Sequence, residues 1–333
     1  VTSEALLAVV LVTALFFAWT NGVHDAANAV ATPLSTRVLT PRVALGLAAV
    51  LNVLGAMLGE GVARTIGIRL LTPPTDHPGL GIVLSGLVGA IAWNLFTLQR
   101  GVPSSSSHAL VGGLAGAALA ASTTVDGAVL FTHVLVPMVF SPVVGFFGAW
   151  LLMALLFRVF RDATYRRAIR RFRIAQAVSA SAMALGHGLQ DGQKTMGVMM
   201  LALFAAERDV DGSVPVWVRL SAAMALGLGT YAGGWRIIRT LGRRVVHVDP
   251  VTGFAAETVA SGLLYTTAYV FNVPVSSTHT VTASIAGAGT SLTGLRAVRW
   301  RVLRPIVAAW VVTLPAAGAV SAGCYLLGTL LAG

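Results

Sequence analysis

"GVPSSSSHALVGG", Gly101 to Gly113, sets four serines and a histidine between apolar stretches, and "NVPVSSTHTVTAS", Asn272 to Ser284, does so a second time. Val102, Pro103, Ser105, Ser106 and His108 recur in register as Val273, Pro274, Ser276, Ser277 and His279. A hydroxyl buried in hydrocarbon without a partner is costly, so a doubled cluster implies a use. In each copy proline stops the incoming apolar arm, and serine directly before the next apolar run is a good helix N-cap. A helix that begins inside a membrane presents free amides and about half a positive charge at its tip, which suits an anion. Two re-entrant helical hairpins follow, with Ser105, Ser106, Ser276, Ser277 and Thr278 as substrate-binding candidates.

The surroundings of these clusters are hydrocarbon. Of 333 residues, 56% are hydrophobic and 11% charged, whereas soluble proteins carry about 25% charged residues. That composition is that of an all-α integral membrane protein. The net charge of +11 does not point to nucleic acid, because the arginines sit in short runs between apolar segments and no polar domain interleaves them with stacking aromatics. The single cysteine, Cys324, excludes an intrachain disulfide and gives no metal-cluster signal. The opening "VTSEALLAVVLVTALFFAW" lacks a basic start and reads as a first membrane segment rather than a signal peptide.

The apolar segments come in the same order twice. Glu4 to Arg37, Pro41 to Leu58, the two arms of Gly79 to Ala121, and Ala128 to Phe157 are followed by Ile174 to Ala206, Val216 to Trp235, the two arms of Val251 to Thr290, and Pro305 to Leu331. This predicts a first repeat over residues 1–157, a cytoplasmic basic linker over 158–173 and a second repeat over 174–333. Arg158 to Arg173, Arg236 to Arg244 and Arg296 to Arg304 hold 7, 4 and 4 arginines and are expected in the cytoplasm, with the acidic "ERDVDG" of Glu207 to Gly212 outside. If each hairpin returns to its own side, the repeats have inverted topology, as in many secondary transporters. Both termini are then extracytoplasmic in a multi-pass plasma-membrane protein.

A second motif is also doubled. "NGVHDAANAVAT" from Asn21 aligns with "HGLQDGQKTMGV" from His187, placing Gly22 over Gly188, Asp25 over Asp191 and Asn28 over Lys194, the only lysine. An intramembrane carboxylate by default marks an ion or substrate path. Glycines beside the carboxylates would let two broken helices unwind and free backbone groups for ions. Asp25 and Asp191 are therefore candidates for binding a coupling cation, Na⁺ included, and Glu257 is a further intramembrane acid. Gln193 and Lys194 are candidates on the substrate. His24, His108, His187 and His279 are candidates for proton handling. "GLQDGQKT" is not a phosphate-binding P-loop, since Gln193 precedes the lysine and no strand leads in. Gly55, Gly59, Gly112 and Gly116 form small-xxx-small patterns read as internal helix packing.

In combination, "NGVHDAANAVAT", "HGLQDGQKTMG", "VPSSSSH" and "PVSSTH" resemble the paired signatures of the Pit/PiT inorganic phosphate transporters, over nearly the whole chain. The "DGQK" version looks most like the bacterial low-affinity permeases. Gln190 stands where relatives commonly have asparagine, and Val275 interrupts the serine run of the second tip. The resemblance implies an inverted-repeat transporter, often a dimer, whose broken helices and hairpins enclose phosphate and coupling cations, and it adds Asn28 to Asp25 and Asp191 as a candidate for binding the coupling cation, Na⁺ included. It further implies symport with H⁺ or Na⁺, in some relatives with phosphate carried as a neutral metal complex, and no cofactor. The rivals are a sulfate or other oxyanion permease of the same fold, an intramembrane serine hydrolase and a passive channel. The topology is directly testable: a reporter fused to the carboxyl end is expected to signal outside the cytoplasm, and a cytoplasmic signal overturns it.

Overall fold

The computed structural model describes residues 2–69, 71, 73–162, 164–208, 213–291 and 294–332. Apart from an antiparallel bridge between Leu71 and Val125, the regular structure among these residues is helical. The first stretch comprises α1 (Ser3–Ser35), α2 (Pro41–Ala56), the short α3 (Gly61–Arg64), α4 (His77–Arg100), α5 (Ser106–Ala120), the short α6 (Gly127–Val129) and α7 (Val136–Val159). The second comprises α8 (Tyr165–Ala205), α9 (Val216–Ala232), α10 (Trp235–Arg243), α11 (Pro250–Thr266), α12 (Ser277–Thr290) and α13 (Trp300–Ala332). Among the described residues Ser3–Ser35, His77–Arg100, Gly127–Val159 and Trp300–Leu331 are long and apolar enough to cross a membrane. Pro41–Ala56 with Gly61–Gly67, bent by 65°, would make a fifth such span.

Two expectations are corrected here. The aspartate motifs do not break their helices: α1 runs unbroken through Asn21 to Thr32, and α8 through His187 to Val198. The glycines serve close packing instead. A side chain at Gly22 would strike the backbone of Leu226 and Thr230 on α9, and one at Gly188 would strike the backbone of Asn52 on α2. The basic run is also not a linker over its whole length, since helix α8 begins at Tyr165 and takes in its arginines from Arg166 onward.

The serine clusters lie at the turns of α4 with α5 and of α11 with α12. Both incoming arms end in the left-handed region, at Gly101 (φ 65°) and Asn272 (φ 53°). Gly101 has no side chain to oppose that conformation, and asparagine tolerates it better than most residues. The chain turns back at both points but not identically, with Val102 N–H donating five residues back to Thr97 O (3.0 Å) and Val273 N–H six residues back to Thr267 O (3.1 Å). α4 is long enough to cross a membrane alone, whereas α5, at 15 residues, falls short of the roughly 20 needed.

Packing interlaces the two stretches of chain. α1, α2, α8 and α9 pack together; α5 lies between α4 and α13, and α12 between α11 and α7. Gly112 and Gly116 bring α5 against the backbone of α13 at Leu314 and Gly318. Near one end of the bundle Ser3 bonds Asp76, Arg208 pairs with Glu4, and Glu60 holds Arg219 and, at 3.3 Å, Arg64. The first hairpin opens toward this end. At the other, Arg173 donates to Arg37 O (2.8 Å) and Arg299 to Arg243 O (2.8 Å), and Val246 packs on Gly289 at the open end of the second hairpin. Of the acidic stretch, residues 209–212 lie outside the described residues.

Gly22→Val and Gly188→Val are each expected to destabilise the bundle by about 1–3 kcal/mol through overpacking, read as a fall in the melting temperature of the purified protein. Gly46→Ala, which meets no atom within 4 Å, is expected to melt unchanged or higher.

Candidate functional site

Asn21, Asp25 and Asn28 fall on one face of α1 because residues four and three apart align along a helix. His187, Asp191 and Lys194 fall likewise on α8. α1 and α8 pack together in the centre, so the two faces meet, and all six residues are at most 2% exposed. Buried carboxylates at this depth require donors or cations.

Asp25 is held from both hairpins. Ser106 Oγ at the start of α5 donates to Asp25 Oδ2 (2.8 Å), and Thr278 Oγ1 at the start of α12 donates to Oδ1 (3.1 Å). His24 Nδ1 lies 2.8 Å from Oδ1. Asn28 Nδ2 donates to Ser277 Oγ (3.2 Å) and Thr278 Oγ1 (3.1 Å). The tips also touch each other, since Ser107 Oγ donates to Val275 O at 3.1 Å.

Asp191 is held differently. Lys194 Nζ donates to Oδ1 at 2.5 Å, His187 Nε2 lies 3.1 Å from Oδ2, and Asn21 Nδ2 reaches Oδ2 at 3.4 Å. One atom each from Asp25, His187 and Asp191 lie within 4.8 Å of one another, close enough to share a cation.

Other predicted residues lie elsewhere or do other work. Ser105 and Ser276 cap α5 and α12 by accepting from His108 N–H and His279 N–H, both at 3.2 Å; such caps are worth about 1 kcal/mol. Gln193 is not with the tips: its Oε1 accepts from Val62 N–H (2.8 Å) and its Nε2 donates to Leu189 O, fixing the start of α3. Glu257 is not with the aspartates either, but takes Thr32 and, at 2.5 Å, Ser179 Oγ, in a separate buried cluster. His108 and His279 lie behind the tips as an edge-to-face pair (4.6 Å), with His279 stacked on Trp310 at 4.0 Å. His24 Nε2 ties Asp25 to the first tip through Thr97 (3.1 Å) and Ser104 (3.3 Å). His187 Nδ1 lies 3.3 Å from Asn52 Oδ1.

Gln190, noted only as a departure, is a positioning residue of the second tip. Its Nε2 donates to Thr267 Oγ1 (2.9 Å) and to Val273 O (3.4 Å), while its Oε1 accepts from Val275 N–H (3.5 Å). It aligns with His24, so one position of each motif anchors the neighbouring hairpin with different chemistry. Asn21 and Asn52 join the site as well. Asn21 was legible from its place four residues before Asp25, whereas Asn52 carried no motif.

Residues 21–321 match the model of the phosphate transporter family. A Mycobacterium tuberculosis (strain ATCC 25618 / H37Rv) protein named "Probable low-affinity inorganic phosphate transporter" is 44% identical over 329 residues, covering 96% of this chain and 77% of the relative. A Bacillus subtilis (strain 168) protein of the same name is 37% identical over 327 residues and 97% of both chains. A solved structure described as "The sodium-dependent phosphate transporter" shares the fold, with a TM-score of 0.85 over 98% of this chain and 99% of the other at 22% identity. With an all-helical bundle and two doubled motifs converging on one buried site, the chain belongs to the phosphate transporter family, a family of membrane transporters rather than enzymes.

Proposed function

We propose that this chain moves inorganic phosphate across the plasma membrane together with H⁺ or Na⁺, by alternating access around the buried site. The observation that carries this is the double hold on Asp25, by Ser106 of one hairpin and Thr278 of the other. A carboxylate gripped by both tips links cation occupancy to the tips that would hold an anion. Phosphate would lie between the starts of α5 and α12, where helix amides and tip hydroxyls favour negative charge. Asp25, Asn28 and Asp191 would take the coupling cation, or Asp25 and Asp191 would protonate. A carboxylate there could also accept the proton that hydrogen phosphate carries and sulfate lacks at neutral pH, rejecting sulfate by leaving a buried charge unpaired.

The arrangement of helices supports an inverted repeat with two re-entrant hairpins, over 1–157 and 174–333. α5 packs on α13 as α12 packs on α7, and α1 packs on α9 as α8 packs on α2. The hairpins open toward opposite ends of the bundle, and their tips meet near the aspartates. The names of the relatives, low-affinity inorganic phosphate transporters and a sodium-dependent phosphate transporter, agree with phosphate as substrate and with a coupling cation.

Labelled phosphate uptake into proteoliposomes, with sodium and pH gradients imposed separately, tests the function. Wild type is expected to accumulate phosphate uphill under one of the gradients and to resist competition by sulfate. Asp25→Asn is expected to abolish accumulation, and intact, ion-dependent uptake in that variant would remove the coupling role. Ser106→Ala and Thr278→Ala each withdraw a donor from a buried carboxylate, worth about 1–3 kcal/mol, so uptake should fall about fivefold or more. Gln193→Leu should lower the melting temperature while leaving KM for phosphate unchanged, because its amide holds α3 rather than the site.

A further inference from the structure

The two motif helices offer the same face with different charge. On α1 the face is Asn21, Asp25, Asn28; on α8 the aligned positions are His187, Asp191, Lys194. The α1 face ends in a neutral amide and the α8 face in an ammonium. Lys194 Nζ lies 2.5 Å from Asp191 Oδ1, both side chains are fully buried, and the spacing is the i, i+3 that also separates Asp25 from Asn28. The α1 face keeps unfilled acceptor capacity instead: Asn21 Oδ1 and Asn28 Oδ1 are buried with no hydrogen-bond donor among the described residues. A buried acceptor without a donor is costly, and a small cation would relieve it.

We propose that Lys194 is a tethered counter-cation: its ammonium holds, on Asp191, the place that a mobile coupling ion takes beside Asp25, so each phosphate crosses with one mobile cation fewer. This rests on the reading of Asp25 as a coupling site. With the histidines neutral, the cluster holds two carboxylates and one ammonium, a net charge of −1, which one monovalent ion neutralises. With an amide in place of the lysine the cluster would hold −2 and require two. A buried carboxylate without its counter-charge is strongly unfavourable, so the second ion would be bound rather than merely tolerated. The lysine cannot leave the protein, so its charge returns with the empty carrier and draws no energy from the ion gradient. Lys194 accordingly sets the stoichiometry of coupling, a different part from the contact with substrate expected from the sequence.

The test compares wild type, Lys194→Asn and Asn28→Lys in proteoliposomes held at zero membrane potential. Steady-state phosphate accumulation is measured against imposed sodium gradients and, separately, proton gradients. Lys194→Asn is expected to accumulate phosphate with one further power of the cation gradient ratio than wild type, and Asn28→Lys with one power fewer. Wild-type slopes in both variants overturn the proposal while leaving coupling at Asp25 standing. Wild-type accumulation indifferent to both gradients removes the coupled-transport reading, and this proposal with it. Where a variant folds but does not transport, the ion count is read from how steeply cation concentration raises the thermal stabilisation of the purified protein by phosphate. A slope steeper by one ion in Lys194→Asn supports the tethered charge, and an equal slope overturns it.

Discussion

A carboxylate removed from water must be given donors or a counter-charge, and the centre of this molecule is arranged around two that have been given different ones. Asp25 receives hydroxyls from two hairpins, from Ser106 at the start of α5 and Thr278 at the start of α12. Asp191 receives an ammonium from its own helix. The extended turns after Gly101 and Asn272, the serine caps that start α5 and α12, and the approach of α1 to α8 all bring polar atoms to this point. Were Asp25 apolar, the tip hydroxyls of Ser106 and Thr278 would be the buried groups in need of partners.

The doubled motifs therefore do not carry doubled chemistry. Matching positions in the two motifs carry His24 and Gln190, both of which fasten a hairpin tip, one through hydroxyls and the other largely through backbone groups. Matching positions also carry Asn28 and Lys194, and these differ in charge. Repetition fixes where side chains converge, while substitution within the repeat decides which ions and hydrogen bonds are used there. The separate buried cluster of Glu257, with Thr32 and Ser179, has no acidic counterpart in the first stretch, where the aligned position is Gly86.

Much of this was legible in the residues because repetition is visible without knowing the fold. The recurrence of Pro-x-Ser-Ser and of a single aspartate per motif singled out the two tips, with Ser106 and Thr278, and Asp25, which lie together in the structure, whereas Asn28 came only from the family resemblance. What was not legible depended on which helix lies alongside. Gln190 and Gln193 are three apart on α8 and chemically identical, yet one meets the second hairpin and the other meets α3. Only the neighbours separate them. The glycines were ambiguous for the same reason: next to an aspartate they permit unwinding or close approach, and the backbones of α9 and α2 against Gly22 and Gly188 make it close approach. The arginine run changes character at Tyr165 because helix formation there is carried through from α8, which charge alone does not reveal.

That close approach has a mechanical consequence. Gly22 lies on the backbone of α9, Gly188 on that of α2, and Gly112 and Gly116 on that of α13. Each contact joins an element from before the basic run to one from after it, with no side chain between them to act as a cushion. A motion that split the chain at the basic run would have to separate all of these seams at once. The four-helix group of α1, α2, α8 and α9 meets each hairpin elsewhere, α1 against α4 and α8 against α11. These surfaces run through the tips that grip Asp25, so the units that face each other there are each assembled from both sides of the basic run.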